Sequence, residues 1–511
     1  MSLVILNTIL SKPNVIFHNS FSFYNIFAKK NYSTDSSEST SPKLPSSNNF
    51  NLKDFSKQID NLIKDYRLNK KTEIKNQNQN IDPTISINSK QSQYKLSTAP
   101  SGVPLSKLLS NTFPLSFKES FEDFKIRNEA YKVQDDLLSL LDCYPHANEL
   151  FESKILKIPI NLDKNNNVIK ISENDEQFFN NDFSEDEKFH RNITYQNYIN
   201  EFVIYPKGKQ SNDPNLNHLI FLHGYGGGIG FFLKNFQSFL SFENSNWCLH
   251  AIDLLGYGVS SRPEFRCSNL SNSEDFFVDS LENWRKLRKL NNSENILICA
   301  HSLGGYLISV FNMKYPNKFR KILMVSPAGI IKPSKLPDIP KYYDMLWNQN
   351  YSPFSLVRYF GPLGSYLVSG WSSRRFDNLD NEEEKNLLHK YAYIIFNSKG
   401  SGEYILNHVL SAGGVPRCPL IDFKENRIKY LTCDTTWIYG ENDWMDVRGG
   451  FEAMKLLNNK VVNESGRTIT ANVKIVKNAG HHLYLDNTHE FAEILRDEMI
   501  ELENYSTINN R

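Results

Sequence analysis

Ser302, Asp443 and His481 are the residues whose types and order suit one kind of chemistry. A serine hydroxyl is a weak nucleophile until a base takes its proton, and an imidazole is a good base for it when an acid orients the ring. Ser302 lies in Ile296-Leu-Ile-Cys-Ala300-His-Ser302-Leu-Gly304-Gly305, an apolar run, a small-residue turn and then the helix-like run Tyr306–Tyr315. This is the layout of a nucleophile elbow, a strained strand-to-helix turn that lifts a serine over a sheet. The pattern is G-x-S-x-G with Ala300 in place of the first glycine. Asp443 ends the run Thr435–Tyr439 in Gly440-Glu-Asn-Asp443-Trp-Met-Asp446, and His481 follows Val473–Val476 in Asn478-Ala-Gly-His481-His482. Asp446 and His482 are near alternatives that spacing does not separate. The order serine, acid, histidine fits acyl transfer through a serine-bound intermediate.

Such chemistry needs two backbone N–H groups aimed at the oxyanion. One is expected from Leu303, just after the serine, the other from Tyr225 or Gly226 in His223-Gly-Tyr-Gly-Gly-Gly228. Those glycines lack the G-x-G-x-x-G phasing of a dinucleotide cradle. A serine at the elbow also excludes reactions that need an aspartate nucleophile there.

The elements that must position these residues are legible as buried runs. Leu219–Leu222, Cys248–Ile252, Ile296–Cys299, Ile322–Val325, Thr435–Tyr439 and Val473–Val476 are continuous apolar strands with helical patterns between them. That alternation predicts an α/β fold, a mostly parallel central sheet covered by helices on both faces, with chemistry at the carboxyl ends of the strands. Ser273–Leu290 reads as a helix with Phe277, Leu281, Trp284 and Leu287 on one face and Ser273 as its cap. Ile155–Ile160 and Tyr198–Tyr205 read as an antiparallel hairpin whose acidic connection, Glu173–Glu187, is an exposed loop. Residues 331–430 are too long for a simple crossover and carry Trp347, Tyr351-Ser-Pro-Phe, Tyr359-Phe-Gly-Pro and Trp371. They are expected to form an inserted helical lid, its aromatics mostly lid core with a minority forming an apolar mouth for acyl chains.

The core is thus expected over 151–330 and 431–505, preceded by a helical segment over 101–150 in which Leu137, Leu138, Leu140 and Leu141 face the main domain. Residues 35–100 are rich in Ser, Asn, Lys and Gln and read as a disordered linker. Residues 1–34 are basic, acid-free and Ser-containing, which reads as a mitochondrial transit peptide. The whole chain has 58 Lys and Arg against 57 Asp and Glu, a net charge of +1 that gives no reason to expect nucleic acid. Six cysteines are scattered with no C-x-x-C pair, which argues against a disulfide framework or a zinc site. No apolar run reaches the ~18 residues of a spanning helix, so contact with a membrane would be peripheral.

Several phrases carry a family resemblance. Phe277-Val-Asp-Ser-Leu-Glu-Asn-Trp-Arg285, Val325-Ser-Pro-Ala-Gly329, Ser352-Pro-Phe-Ser-Leu-Val-Arg358 with Gly361-Pro-Leu-Gly364, and Ala479-Gly-His-His-Leu-Tyr-Leu-Asp486 resemble the type 4/5 group of alpha/beta-hydrolase-domain proteins. The likeness spans roughly 195–500. Gly402-Glu-Tyr-Ile and Pro416-Arg-Cys-Pro-Leu are similar to the fungal mitochondrial cardiolipin-specific deacylase branch. The resemblance implies a serine hydrolase without cofactor or metal. It would remove fatty-acyl chains from a phospholipid at a membrane surface, in mitochondria, or alternatively in the cytoplasm or on lipid droplets. It also implies that His481 and Asp486 form the H-x4-D motif read as an acyltransferase signature in that group. Acyl transfer to a lysophospholipid and a non-catalytic role as lipase co-activator are therefore the alternatives.

Overall fold

The computed structural model describes residues 113–171, 196–242, 246–333, 336, 339, 341–422, 426–458 and 468–509. The expected transit peptide, the linker and the Glu173–Glu187 connection lie outside them. Eight strands form one sheet: β1 (Phe151–Pro159), β2 (Tyr198–Pro206), β3 (Asn217–Leu222), β4 (Trp247–Ile252), β5 (Ile296–His301), β6 (Lys321–Val325), β7 (Asp434–Gly440) and β8 (Ala471–Val476). Their spatial order is β1-β2-β4-β3-β5-β6-β7-β8. β1 pairs antiparallel with β2, and β2 with β4; all later pairs are parallel. This is the expected fold class, with the expected hairpin as its first edge.

The continuous apolar runs arise because both faces of the sheet are covered. Phe221, Leu249, Leu297, Cys299, Leu323 and Ile438 pack into one buried layer. Their alternate neighbours Ile220, Leu222, Ile252, Ile298, Met324 and Trp437 pack into the other. Among the described residues the helices are α1 (Phe117–Lys125), α2 (Ala130–Leu138), α3 (Leu233–Ser241), α4 (Leu270–Leu287), α5 (Leu303–Lys314), α6 (Lys341–Asn348), α7 (Pro353–Tyr359), α8 (Gly364–Arg375), α9 (Glu382–Asn397), α10 (Arg448–Asn458), α11 (Leu483–Asp486) and α12 (Thr488–Asn509), and a further single turn covers Leu406–Val409. α4 corrects the sequence reading. Its cap is Asn269, whose side chain accepts the Asn272 N–H, while Ser273 sits one turn inside with its hydroxyl bonded back to the Asn269 carbonyl. Asn and Ser cap about equally well; the acidic pair after Ser273 drew attention to the wrong one. The face formed by Phe277, Leu281, Trp284 and Leu287 is buried as expected.

The interval 331–430 contains α6–α9, a helical layer between β6 and β7. α9 is capped by Asn381, which accepts the N–H groups of Glu383 and Glu384, and three glutamates favour its positive end. Arg358 of α7 bonds Glu403 Oε1 at 2.7 Å, and the Ser352 hydroxyl bonds the same carboxylate. Chain far upstream also holds this layer. Ser120 of α1 donates its hydroxyl to Pro362 O (2.7 Å) and accepts the Tyr366 N–H (2.9 Å). Ser365 Oγ bonds Asp123 of α1, and His389 Nε2 lies 2.9 Å from that same Oγ. Leu137 and Leu138 of α2 are fully buried, so this helix packs inward.

Candidate active site

Ser302 occupies the turn between β5 and α5 with φ +51° and ψ −113°. A non-glycine residue there is strained by about 1–3 kcal/mol and persists only where its surroundings hold it. Here the Ser302 N–H donates to Val325 O (2.9 Å), and its carbonyl accepts the N–H groups of Tyr306 and Ala328 (both 3.1 Å). Two glycines let the turn sit close. A Cβ on Gly304 would lie 2.6 Å from the His223 carbonyl oxygen, and one on Gly305 would lie 2.9 Å from Pro327 Cβ. Ala300 is fully buried in the sheet, paired between Leu222 of β3 and Met324 of β6.

His481 Nε2 lies 3.0 Å from Ser302 Oγ, and His481 Nδ1 lies 3.1 Å from Asp443 Oδ1. The carboxylate can only accept, so Nδ1 carries the proton, Nε2 is the acceptor and the serine hydroxyl donates to it. Asp443 is 5% exposed; its Oδ1 also accepts the Met445 N–H at 3.0 Å. Such a line can pass the hydroxyl proton to the imidazole while the acid steadies the ring. The two alternatives lie elsewhere. Asp446 caps α10 through the Arg448 N–H (3.1 Å) and pairs with the Arg448 guanidinium. The His482 ring lies tilted against His301 and Tyr484, and burial holds its pKa well below the usual value.

Leu303 is the first residue of α5, so its N–H has no partner within the helix. The β3 turn reaches the same place: a Cβ on Gly224 would lie 2.9 Å from Ser302 Cβ and 2.8 Å from His301 Nδ1. Tyr225 and Gly226 follow directly, Gly226 with φ +67°. The Phe354 ring of α7 lies against Gly226 and stacks on Tyr225 at 5.2 Å between centroids. Phe354 in turn stacks on Phe396 (4.7 Å), whose ring Trp371 meets edge-on. Trp444, 46% exposed, lies 5.0 Å from the His481 ring.

Three residues outside the sequence reading of the site hold it together. His301 Nε2 donates to the His481 carbonyl at 2.9 Å. Burial, then the nearby His481, keeps His301 far below its usual pKa and so neutral. His223 Nδ1 donates to Gly224 O (2.8 Å) while Nε2 accepts the Leu254 N–H (3.0 Å), and burial lowers its pKa to about 4. Asp253 accepts the N–H groups of Ile229 and Val259 and the Asn200 amide (each 2.8 Å). Burial raises its pKa to about 6 against those bonds. His301 and His223 flank the motif residues Ser302 and Gly224 in sequence, the only signal that could have found them. Asp486 faces away from catalytic bonding. Its Oδ2 accepts the Gly480 N–H (2.9 Å) and its Oδ1 meets Arg375 Nη1 of α8 (3.1 Å).

A family model described as alpha/beta hydrolase fold matches residues 217–488, more than half of the chain. A rice protein named probable 1-acylglycerol-3-phosphate O-acyltransferase is 33% identical over 295 residues, 55% of this chain and 66% of that one. The Arabidopsis thaliana 1-acylglycerol-3-phosphate O-acyltransferase is 34% identical over 284 residues, 53% of this chain and 63% of the relative. The human (lyso)-N-acylphosphatidylethanolamine lipase is 29% identical over 289 residues, 55% of this chain and 78% of its own length. The chain thus spans somewhat less than two thirds of the plant relatives. Matched over this length and folded on this sheet, the chain belongs to the alpha/beta hydrolase fold family.

Proposed function

We propose that this protein is a serine acyl hydrolase that removes fatty-acyl chains from a glycerophospholipid, with cardiolipin as the first substrate to test. The observation that carries the reading is the hydrogen-bonded line Ser302 Oγ–His481–Asp443 on an elbow with positive φ. In this reading Ser302 Oγ attacks the ester carbonyl carbon as its proton passes to His481 Nε2. The N–H of Leu303 and that of Tyr225 or Gly226 hold the oxyanion, each worth on the order of 10²–10³ in rate. Collapse expels the lysophospholipid alcohol, which takes the proton from His481. Water, deprotonated by the same imidazole, then releases the fatty acid and regenerates the serine. Phe354 and Phe396 are themselves buried (3% and 2% exposed), so this aromatic layer is packed core with Tyr225 at its edge beside the elbow, and the acyl chain as the group bound is inferred from the relatives' names. The phospholipid class rests on the relatives' names and on the sequence likeness to deacylases. Mitochondrial location rests on the basic, acid-free composition of residues 1–34, and contact with a membrane surface on the phospholipid class of the substrate.

Purified full-length protein is to be given phospholipid vesicles with and without cardiolipin, and fatty-acid release measured. Ser302→Ala is expected to lower kcat by on the order of 10⁶; a variant that keeps its deacylase activity overturns the mechanism. Acyl transfer to a lysophospholipid hydroxyl is the second reading, favoured by the names of the two plant relatives. It uses the same acyl-enzyme with an alcohol in place of water. His481 belongs to the Ser302 line and Asp486 bonds Gly480 and Arg375, so the H-x4-D motif supports no second reaction centre.

A further inference from the structure

Three side chains outside this site converge inside the sheet. β3 and β4 run parallel with His218 opposite Cys248. Side chains alternate along a strand, so Cys248 and His250, two apart, share the face of His218. One donor atom from each of the three lies within 4.8 Å of the others, and all three residues are buried.

The outer hydrogen bonds set the inner atoms. His250 Nδ1 donates to Glu201 Oε1 at 2.7 Å, and His218 Nε2 donates to the Asp213 carbonyl at 3.2 Å. Glu201 and the carbonyl can only accept, so each ring spends its N–H outward. His218 Nδ1 and His250 Nε2 then face each other at 3.0 Å. On two neutral rings both atoms are lone pairs, and lone pairs at hydrogen-bond distance repel unless a cation lies between them. A proton there would create a desolvated imidazolium close to Arg288, which already pairs with Glu201 at 3.1 Å. A metal ion resolves the conflict with no such charge on the rings. A carboxylate on one histidine and a backbone carbonyl on the other are the outer partners that metal-bound histidines use.

We propose that His218, Cys248 and His250 form a binding site for a thiophilic d10 ion, Zn²⁺ or Cu⁺. Two imidazoles and a thiolate are borderline-to-soft donors that select these ions over Mg²⁺ or Ca²⁺. Cys248, whose Sγ now donates to Ser211 O at 3.3 Å, releases its proton on binding. Glu201 and Arg288 cancel, so a thiolate with Cu⁺ is neutral, whereas Zn²⁺ keeps one positive charge. His218 sits at the start of β3, whereas Ser302 follows the end of β5, so the ion braces the sheet and touches no reacting ester. The ligands come from two strands thirty residues apart, which is why the cysteine spacing gave no sign of them.

The test is metal analysis of full-length protein purified under reducing conditions, loaded with Zn²⁺ or Cu⁺ and dialysed against a weak chelator. Wild type and Ser302→Ala are expected to retain about one ion per chain, and Cys248→Ser to bind at least about tenfold more weakly. Which ion survives competition identifies the natural one. Cobalt(II) loading gives an independent readout, a thiolate-to-metal charge-transfer band in wild type even if the serine variant fails to fold. Folded wild type that retains no ion, an ion that stays equally bound in Cys248→Ser, or cobalt loading without that band would overturn the proposal.

Discussion

Asp486→Asn separates two meanings of the H-x4-D motif. The carboxylate takes the Gly480 N–H on one oxygen and Arg375 on the other, and the Arg375 and Asp486 side chains are 23% and 17% exposed. Asparagine keeps one acceptor for Gly480 but brings an NH₂ and no charge to Arg375. What is lost is the charge assistance of two bonds, about 1–2 kcal/mol after discounting for solvent. Gly480 precedes His481, so that energy is spent on where the imidazole sits. At about 1.4 kcal/mol per tenfold, kcat/KM should fall by roughly 5- to 30-fold. Because one acyl-enzyme serves both acceptors, hydrolysis and transfer should fall together. The assay follows a labelled acyl chain from phospholipid vesicles into free fatty acid and, with lysophospholipid present, into re-esterified product. Transfer abolished with hydrolysis within about twofold of wild type would refute the argument and give the motif its own chemistry.

Asp443→Asn should cost about 10⁴ in kcat with little change in KM, because the amide favours the wrong imidazole tautomer; a loss under about tenfold in steady-state turnover would count against Asp443 as the acid. Gly226→Ala should raise KM for phospholipid and destabilise the fold by roughly 1–2 kcal/mol, since a Cβ would run into the Phe354 ring and φ is +67°; Phe354→Ala in the same chain should restore part of the KM but not the backbone strain, read by vesicle titration and urea unfolding. Asp253 has a folded pKa raised to about 6, with burial the leading cause, so it binds its proton more tightly folded than unfolded. Its contribution to stability is therefore full below about pH 4 and lost as pH rises through about 6; a ¹³C-carboxyl titration with a midpoint at or below 4 would contradict this.

How much of this was readable beforehand follows from where each signal lies. The strands were legible because burial on both faces makes them apolar without interruption, as in Leu219–Leu222 and Ile322–Val325. Ser302, Asp443 and His481 were legible because the turns after such strands are where side chains emerge. The cap of α4 was misread because Asn269 and Ser273 offer the same kind of acceptor, and only the backbone at Asn269 (φ −146°) distinguishes them. Asp486 and Arg375 are 111 residues apart, and no local pattern announces such a pair. The same holds for His301, whose role depends on a carbonyl 180 residues later.

The bonds from Ser120 and Asp123 to Pro362, Ser365 and Tyr366 bear on the order of synthesis. α1 and α2 leave the ribosome roughly 10–40 s before α6–α9 at ordinary elongation rates. The helices over the sheet therefore dock onto a platform made long before them. Trimming the chain to residues 217–488 would remove that platform together with β1 and β2. Defects in it, such as Asp123→Ala, should surface as nascent-chain aggregation and chaperone demand rather than as altered turnover of the molecules that mature.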